Sequence, residues 1–138
     1  MEQSSDDQQQ YLIAELEKAK IKHNPANIVK IAKQITGKII FLETGKGGER
    51  GSGLQHILDN HKKDFLNRGI SEEQIPDLII KAATEGKEIG IRQGKSREIY
   101  QVEINKCNQY LSLEISDNGY IVSANPTPTR LIKKFIHE

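Results

Sequence analysis

The sequence predicts an α+β fold, with N-terminal helices packed on an antiparallel β-meander, and two observations carry that expectation. Apolar residues recur at helical spacing in the first half of the chain, as in the stripe Leu54, Ile57, Leu58 and Phe65. From residue 88 to 125 the period changes to two, with turn-forming breaks at 94–96, 106–108 and 117–119. The last break holds Asn118-Gly119 between alternating segments, a strong hairpin signal because both residue types tolerate positive φ. Helices first and a meander second is the order that packs helices on one face of one sheet.

Taken in order, residues 1–10 are polar and of low complexity, and read as a frayed tail. Leu12, Ile13, Leu16 and Ala19 mark a first helix. A second is expected from Asn24 as N-cap, with Pro25 in its first turn and Ile28, Ile31, Ala32 and Ile35 on one stripe. Gly37 stops it, and the apolar run within 38–43 reads as a short buried strand. A glycine-rich loop then leads to the helix that starts at Leu54, and Arg68-Gly69 turns the chain out of it. Ser71 with Gln74 makes a capping box, and Pro76 opens a further helix that stops at Gly86. The expected organisation is a polar tail with N-terminal helices over 1–36 and an α+β core over 37–138.

Length and composition narrow the classes. A chain of 138 residues with 36% hydrophobic content can build one core but hardly two. No apolar run approaches the ~20 residues of a membrane helix, and no export signal is read in the chain as given. Cys107 is the only cysteine, and no His/Cys spacing suits zinc, so neither an internal disulfide nor a metal is expected. The loop Gly45–Gly53 lacks the Gly-Lys-Ser/Thr ending of a nucleotide P-loop. A formal charge of +1 argues against a large nonspecific DNA-binding surface. Lys87, Arg92, Lys95, Arg97 and Lys106 nevertheless gather in one stretch, and Arg130, Lys133 and Lys134 in another. On charge alone these are solvated strand edges and helix ends; a local phosphate-binding cleft is the alternative.

Two segments concentrate residues able to do chemistry. One opens a helix with Gly53-Leu54-Gln55-His56-Ile57 and reaches His61; the other, Gly119-Tyr120-Ile121-Val122-Ser123-Ala124-Asn125-Pro126, is a last strand. With a second helix and a meander between them, they resemble the barnase, EndoU, colicin and RelE-like (BECR) nuclease superfamily over residues 51–127. The resemblance implies a toxin-type, metal-independent endoribonuclease that uses no cofactor and cleaves RNA, often tRNA. It also implies an acidic cognate immunity protein, a host factor for some members, and no membrane partner. Such domains include phage-type ones and the toxins of contact-dependent growth inhibition, delivered as the C-terminal part of a larger secreted protein and acting in the cytoplasm of a target cell. Related last strands often carry Thr where Ser123 stands, and an aromatic residue at Asn125.

Metal-free RNA cleavage needs a base for the 2′-hydroxyl, an acid for the leaving oxygen and cations for the phosphorane charge. His56 and His61 are the acid–base candidates. Five helical residues leave them roughly 140° apart, so they are not expected to share one face. His61 falls within the apolar stripe and reads equally well as a hydrogen-bonded core residue; His56 would stand at the rim. Arg97 lies on the polar side of its strand, suited to bidentate phosphate binding or to a cross-strand ion pair. Ser123 and Asn125 share one side of the last strand, Ser123 orienting the reacting group or donating to it. Arg92, Lys95, Asn125 and Thr127 are the substrate-binding candidates, Thr127 alternatively capping a final helix through Pro128. His23 and His137 lie outside both motifs and read as surface residues. The competing reading is a non-catalytic interaction module, an adaptor or inhibitor, that binds a protein through the same polar face.

Overall fold

The computed structural model describes residues 5–136 of the chain, so the readings of residues 1–4 and His137 lie outside the described residues. Its elements run α1 (Ser5–Lys18), β1 (Ile28–Lys33), β2 (Ile39–Glu43), α2 (Gly53–Leu66), α3 (Ile75–Glu85), β3 (Lys87–Gln93), β4 (Arg97–Ile104), β5 (Cys107–Ile115), β6 (Ile121–Pro126) and α4 (Thr129–Ile136). The last four strands form an antiparallel meander in the order β3-β4-β5-β6, while β1 and β2 pair separately. The fold class is α+β. Helix α1 begins inside the segment read as a frayed tail.

The expected second helix is absent. Residues Pro25–Asn27 form one 3-10 turn and the chain then extends as β1, pairing antiparallel from Lys33↔Ile39 to Ile28↔Glu43. Ile28, Val29 and Ile31 are β-branched and favour a pleated surface, and spacings of three and four fitted a helix only in the absence of a partner. Gly37 at φ +98° makes the hairpin turn rather than a helix stop. Ile35, the last residue of the supposed apolar stripe, stands fully exposed in that turn.

One sheet face makes the core. Tyr100, Val102, Leu111, Leu113 and Ala124 meet Ile57 and Phe65 of α2, Leu78, Ile79 and Ala82 of α3, and Ile40 and Leu42 of β2. Each fully buried aliphatic or aromatic side chain contributes about 1.5–3 kcal/mol by leaving water. Helix α3 begins after the capping box of Ser71 and Gln74, and Gly86 caps it, as its sequence predicts. Across the sheet, Ile99 and Tyr110 pack with Ile132 of α4 in a smaller cluster. That second face also carries the polar side chains of β6.

Strand β6 closes the sheet edge and is covered lengthwise by α2. At its start the chain presses against β2: Phe41 N–H donates to Gly119 O at 2.9 Å. Gly119, at φ +95°, is required here, since a Cβ would fall 2.1 Å from the Ile39 carbonyl oxygen.

Candidate active site

Helix α2 and strand β6 run in the same direction, and a row of polar contacts joins them. Ser52 Oγ meets Tyr120 OH at 2.7 Å, His56 Nε2 meets Ser123 Oγ at 3.1 Å, and Arg68 Nη2 donates to Thr127 O at 2.6 Å. Apolar residues of the same helix, Ile57 and Phe65, enter the core. The helix is therefore two-sided: one stripe holds the fold and the neighbouring one faces the polar edge of the sheet.

The protons on His56 follow from its partners. Nδ1 lies 2.7 Å from Gly48 O, and a carbonyl oxygen can only accept, so Nδ1 carries a hydrogen. Asn60 Nδ2 donates to the same Gly48 oxygen at 3.1 Å and to His56 O at 2.8 Å, which uses both of its hydrogens. In the neutral ring, Nε2 is left with a lone pair and accepts from the Ser123 hydroxyl. The imidazole is thus held as a base aimed at a hydroxyl, with a backbone carbonyl fixing its tautomer. His56 is 7% and Ser123 2% exposed, so the pair is well shielded from bulk water.

The glycine-rich loop supplies that carbonyl. Gly48 N–H donates to Asp59 Oδ2 at 3.0 Å, and Gln55 Nε2 donates to Asp59 Oδ1 at 2.9 Å. These bonds, Gln55 first and Gly48 second, hold the Asp59 carboxyl below its ordinary pKa. The reciprocal bonds between Lys46 and Ser52, each 2.9 Å, close the loop onto the start of α2. A loop that reads from sequence as a failed nucleotide motif is folded back to orient a histidine.

Beside this pair lies a cation. Arg97 Nη1 donates to Asn125 Oδ1 at 2.5 Å, and Asn125 Nδ2 donates to Gln93 Oε1 and Pro126 O, both at 2.9 Å. Glu114 is the nearby carboxylate, but its separation of 3.9 Å from Arg97 Nε is at the outer limit of an ion pair. The guanidinium is fixed mainly by a neutral amide, which leaves its charge available to an anion. Below it, Ser112 Oγ and Thr127 Oγ1 share a buried hydrogen bond of 2.8 Å.

His61 is not a core residue. Its Nδ1 pairs with Asp64 Oδ2 at 3.2 Å, its side chain is 21% exposed, and it lines a cavity of about 350 Å³ with Asn67, Arg68, Gln93 and Asn125. The two imidazoles come closer than their angular separation on α2 suggests, with ring centroids 6.4 Å apart. Rings reach several ångströms beyond the helix axis, and both lean toward the same strand.

The structure brings together His56, His61, Arg97, Ser123 and Asn125, and places Thr127 beneath them. Thr127 is buried and its hydroxyl is bonded to Ser112, so it is not an open substrate contact, and that hydroxyl is turned to the sheet rather than to the start of α4 at Thr129. Arg92 sits elsewhere: alternation turns it to the other face, where Nε meets Glu98 Oε1 at 2.6 Å. Lys95 is exposed in the turn between β3 and β4. His23 is half-buried, with Nδ1 2.7 Å from Ile21 O, and is not a plain surface residue. Arg68, Gln93, Asn60 and the Gly48 carbonyl were not legible as site residues; only the register of β3 and the loop closure reveal them.

Among the described residues no helix is long and apolar enough to cross a membrane, and no three His, Cys, Asp or Glu side chains converge in a way that could hold a metal ion. Comparison with protein-family models and with curated protein sequences gives no match for this chain.

Proposed function

We propose that the chain is a toxin-type endoribonuclease that needs no metal and cuts RNA, with tRNA as the preferred class, by attack of the 2′-hydroxyl on the adjacent phosphate. The observation that carries the reading is the His56–Ser123 pair, a tautomer-locked base on a shielded hydroxyl, with the His61 ring 6.4 Å from that of His56 and Arg97 held by Asn125, two residues beyond Ser123 on the same strand. The 2′-hydroxyl proton passes to Ser123 Oγ as Ser123 gives its own to His56 Nε2. Arg97 balances the charge that develops on the phosphorane, and His61, half-open to solvent, protonates the leaving 5′-oxygen. The products are a 2′,3′-cyclic phosphate and a 5′-hydroxyl.

Purified protein incubated with total RNA in EDTA tests this directly. Cleavage with cyclic phosphate ends is the expected result. Intact RNA at high protein concentration, with and without cell extract to supply a host factor, would overturn it in favour of an interaction module. A nuclease of this kind has no ion whose supply can be restricted, so control falls to a bound inhibitor. An acidic immunity protein set against Arg97 and the exposed basic stretch fits that need, with an association rate that falls as salt rises. Delivery from a larger secreted protein into a target cell's cytoplasm belongs to the same proposal.

A further inference from the structure

We propose that the open groove at the head of the α2–β6 seam binds a nucleobase of the RNA strand beside the scissile phosphate, with preference for bases that carry an exocyclic amine. The inference rests on the ribonuclease reading and adds to it a site for the base. The groove encloses about 790 Å³, and its walls include Lys22, His23, Asn24, Glu43, Asp117 and Tyr120. None of these lies in the catalytic set.

Two features fit a base. Tyr120 is pinned at both ends, its ring 5.9 Å from Phe41 in an edge-on arrangement and its hydroxyl 2.7 Å from Ser52 Oγ, so it offers a fixed aromatic wall. Glu43 and Asp117 outnumber Lys22, so the groove disfavours phosphate and favours N–H groups. An amine-bearing base supplies such donors and carries no charge.

Position supports the same ligand. Ser52, which holds Tyr120, precedes His56 by four residues, about 6 Å along a helix. Tyr120 precedes Ser123 by three residues, about 10 Å of extended strand. A base seated against Tyr120 would therefore lie a nucleotide or so from a phosphate held beside Ser123.

The test uses the full chain, short RNAs that differ at one base for kinetics, and the same sequences with 2′-O-methyl groups for binding. Wild type should bind and cleave adenine-, cytosine- or guanine-containing sites better than those with uracil at that position. Tyr120→Ala should raise KM about tenfold or more, with kcat within about twofold, and flatten the base preference. An unchanged KM and preference in folded Tyr120→Ala would overturn the groove while leaving the nuclease reading intact. If that variant fails to fold, the exposed-rim variant Asn24→Ala with Glu43→Gln decides: retained preference in the double variant overturns the proposal, and lost preference supports it. Base-dependent binding of the 2′-O-methyl RNAs without cleavage of any RNA would discard the nuclease and keep the groove.

Discussion

Ser123→Ala separates a catalytic hydroxyl from a structural one. In the folded protein His56 Nε2 meets Ser123 Oγ at 3.1 Å, inside a site where the two residues are 7% and 2% exposed. Removing the oxygen leaves a buried ring nitrogen unpaired, which costs about 1–3 kcal/mol. For a domain of this size, that corresponds to a fall of roughly 3–12 °C in Tm. A lost proton relay would lower kcat about 10²–10⁴-fold. Ser123→Thr keeps the hydroxyl but adds a methyl group to a closed site, so it should lose comparable stability and retain most of the turnover. The assay is RNA cleavage in EDTA beside thermal unfolding of the three proteins. Folded Ser123→Ala with wild-type kcat would refute the relay, and equal loss of turnover in Ser123→Thr would show that packing, not the hydroxyl, matters.

Four further outcomes follow from the geometry. His61→Ala should keep its melting temperature within about 1–2 °C, because an exposed pair with Asp64 contributes little, yet should lose turnover about 10²-fold or more. Arg97→Lys should resemble Arg97→Ala in kcat, since a lysine cannot hold Asn125 Oδ1 and a phosphate through one planar fork; wild-type turnover in the lysine variant would show that point charge suffices. Asn60→Ala should weaken the clamp on Gly48 and shift the pH dependence of kcat/KM, while leaving KM unchanged; an unaltered profile would remove Asn60 from the positioning of His56. Burial first, then the charges of Glu88 and Glu98, push the Tyr100 hydroxyl up to about 12, above an unfolded value of about 10. The folded state then binds the extra proton, so this stabilisation is complete below about pH 10 and is lost as pH rises through about 12; Tyr100→Phe should flatten that alkaline decline in urea-unfolding free energy.

The meander and both later helices were legible because each carries a local signal that survives packing. Asp117-Asn118-Gly119 makes its turn through bonds within the turn, Ser71 and Gln74 cap the 3-10 turn that leads into α3, and Gly86 caps the end of α3, all through atoms within reach along the chain. β1 was not legible because its helical and extended readings differ only in whether a partner strand exists, and Ile39–Glu43 lies beyond the turn that would reveal it. At the site, His56, Ser123, Arg97 and Asn125 follow from motif and alternation. His61 was ambiguous because an angular argument treats side chains as points on a cylinder. Arg92 was misplaced for a different reason: clustering in sequence ignores alternation, which gives the cleft Gln93 and the opposite face Arg92.

The glycine-rich loop links this local reading to the chemistry. Residue 48 provides no side chain, yet its N–H is tied to Asp59 and its carbonyl to His56 and Asn60, so the backbone of one residue joins three residues of α2. Its φ of +87° is cheap for glycine and strained for other residues, although a Cβ there would meet nothing within 4 Å. Substitution at Gly48 would therefore act through backbone angle rather than crowding, rotating the carbonyl away from Nδ1 and releasing the tautomer that leaves Nε2 free to accept. The base of the proposed reaction is in this sense set by a loop conformation. The polar edge of the sheet can remain buried and hydrogen-bonded because the apolar stripe of the same helix, through Ile57 and Phe65, anchors the opposite side in the core.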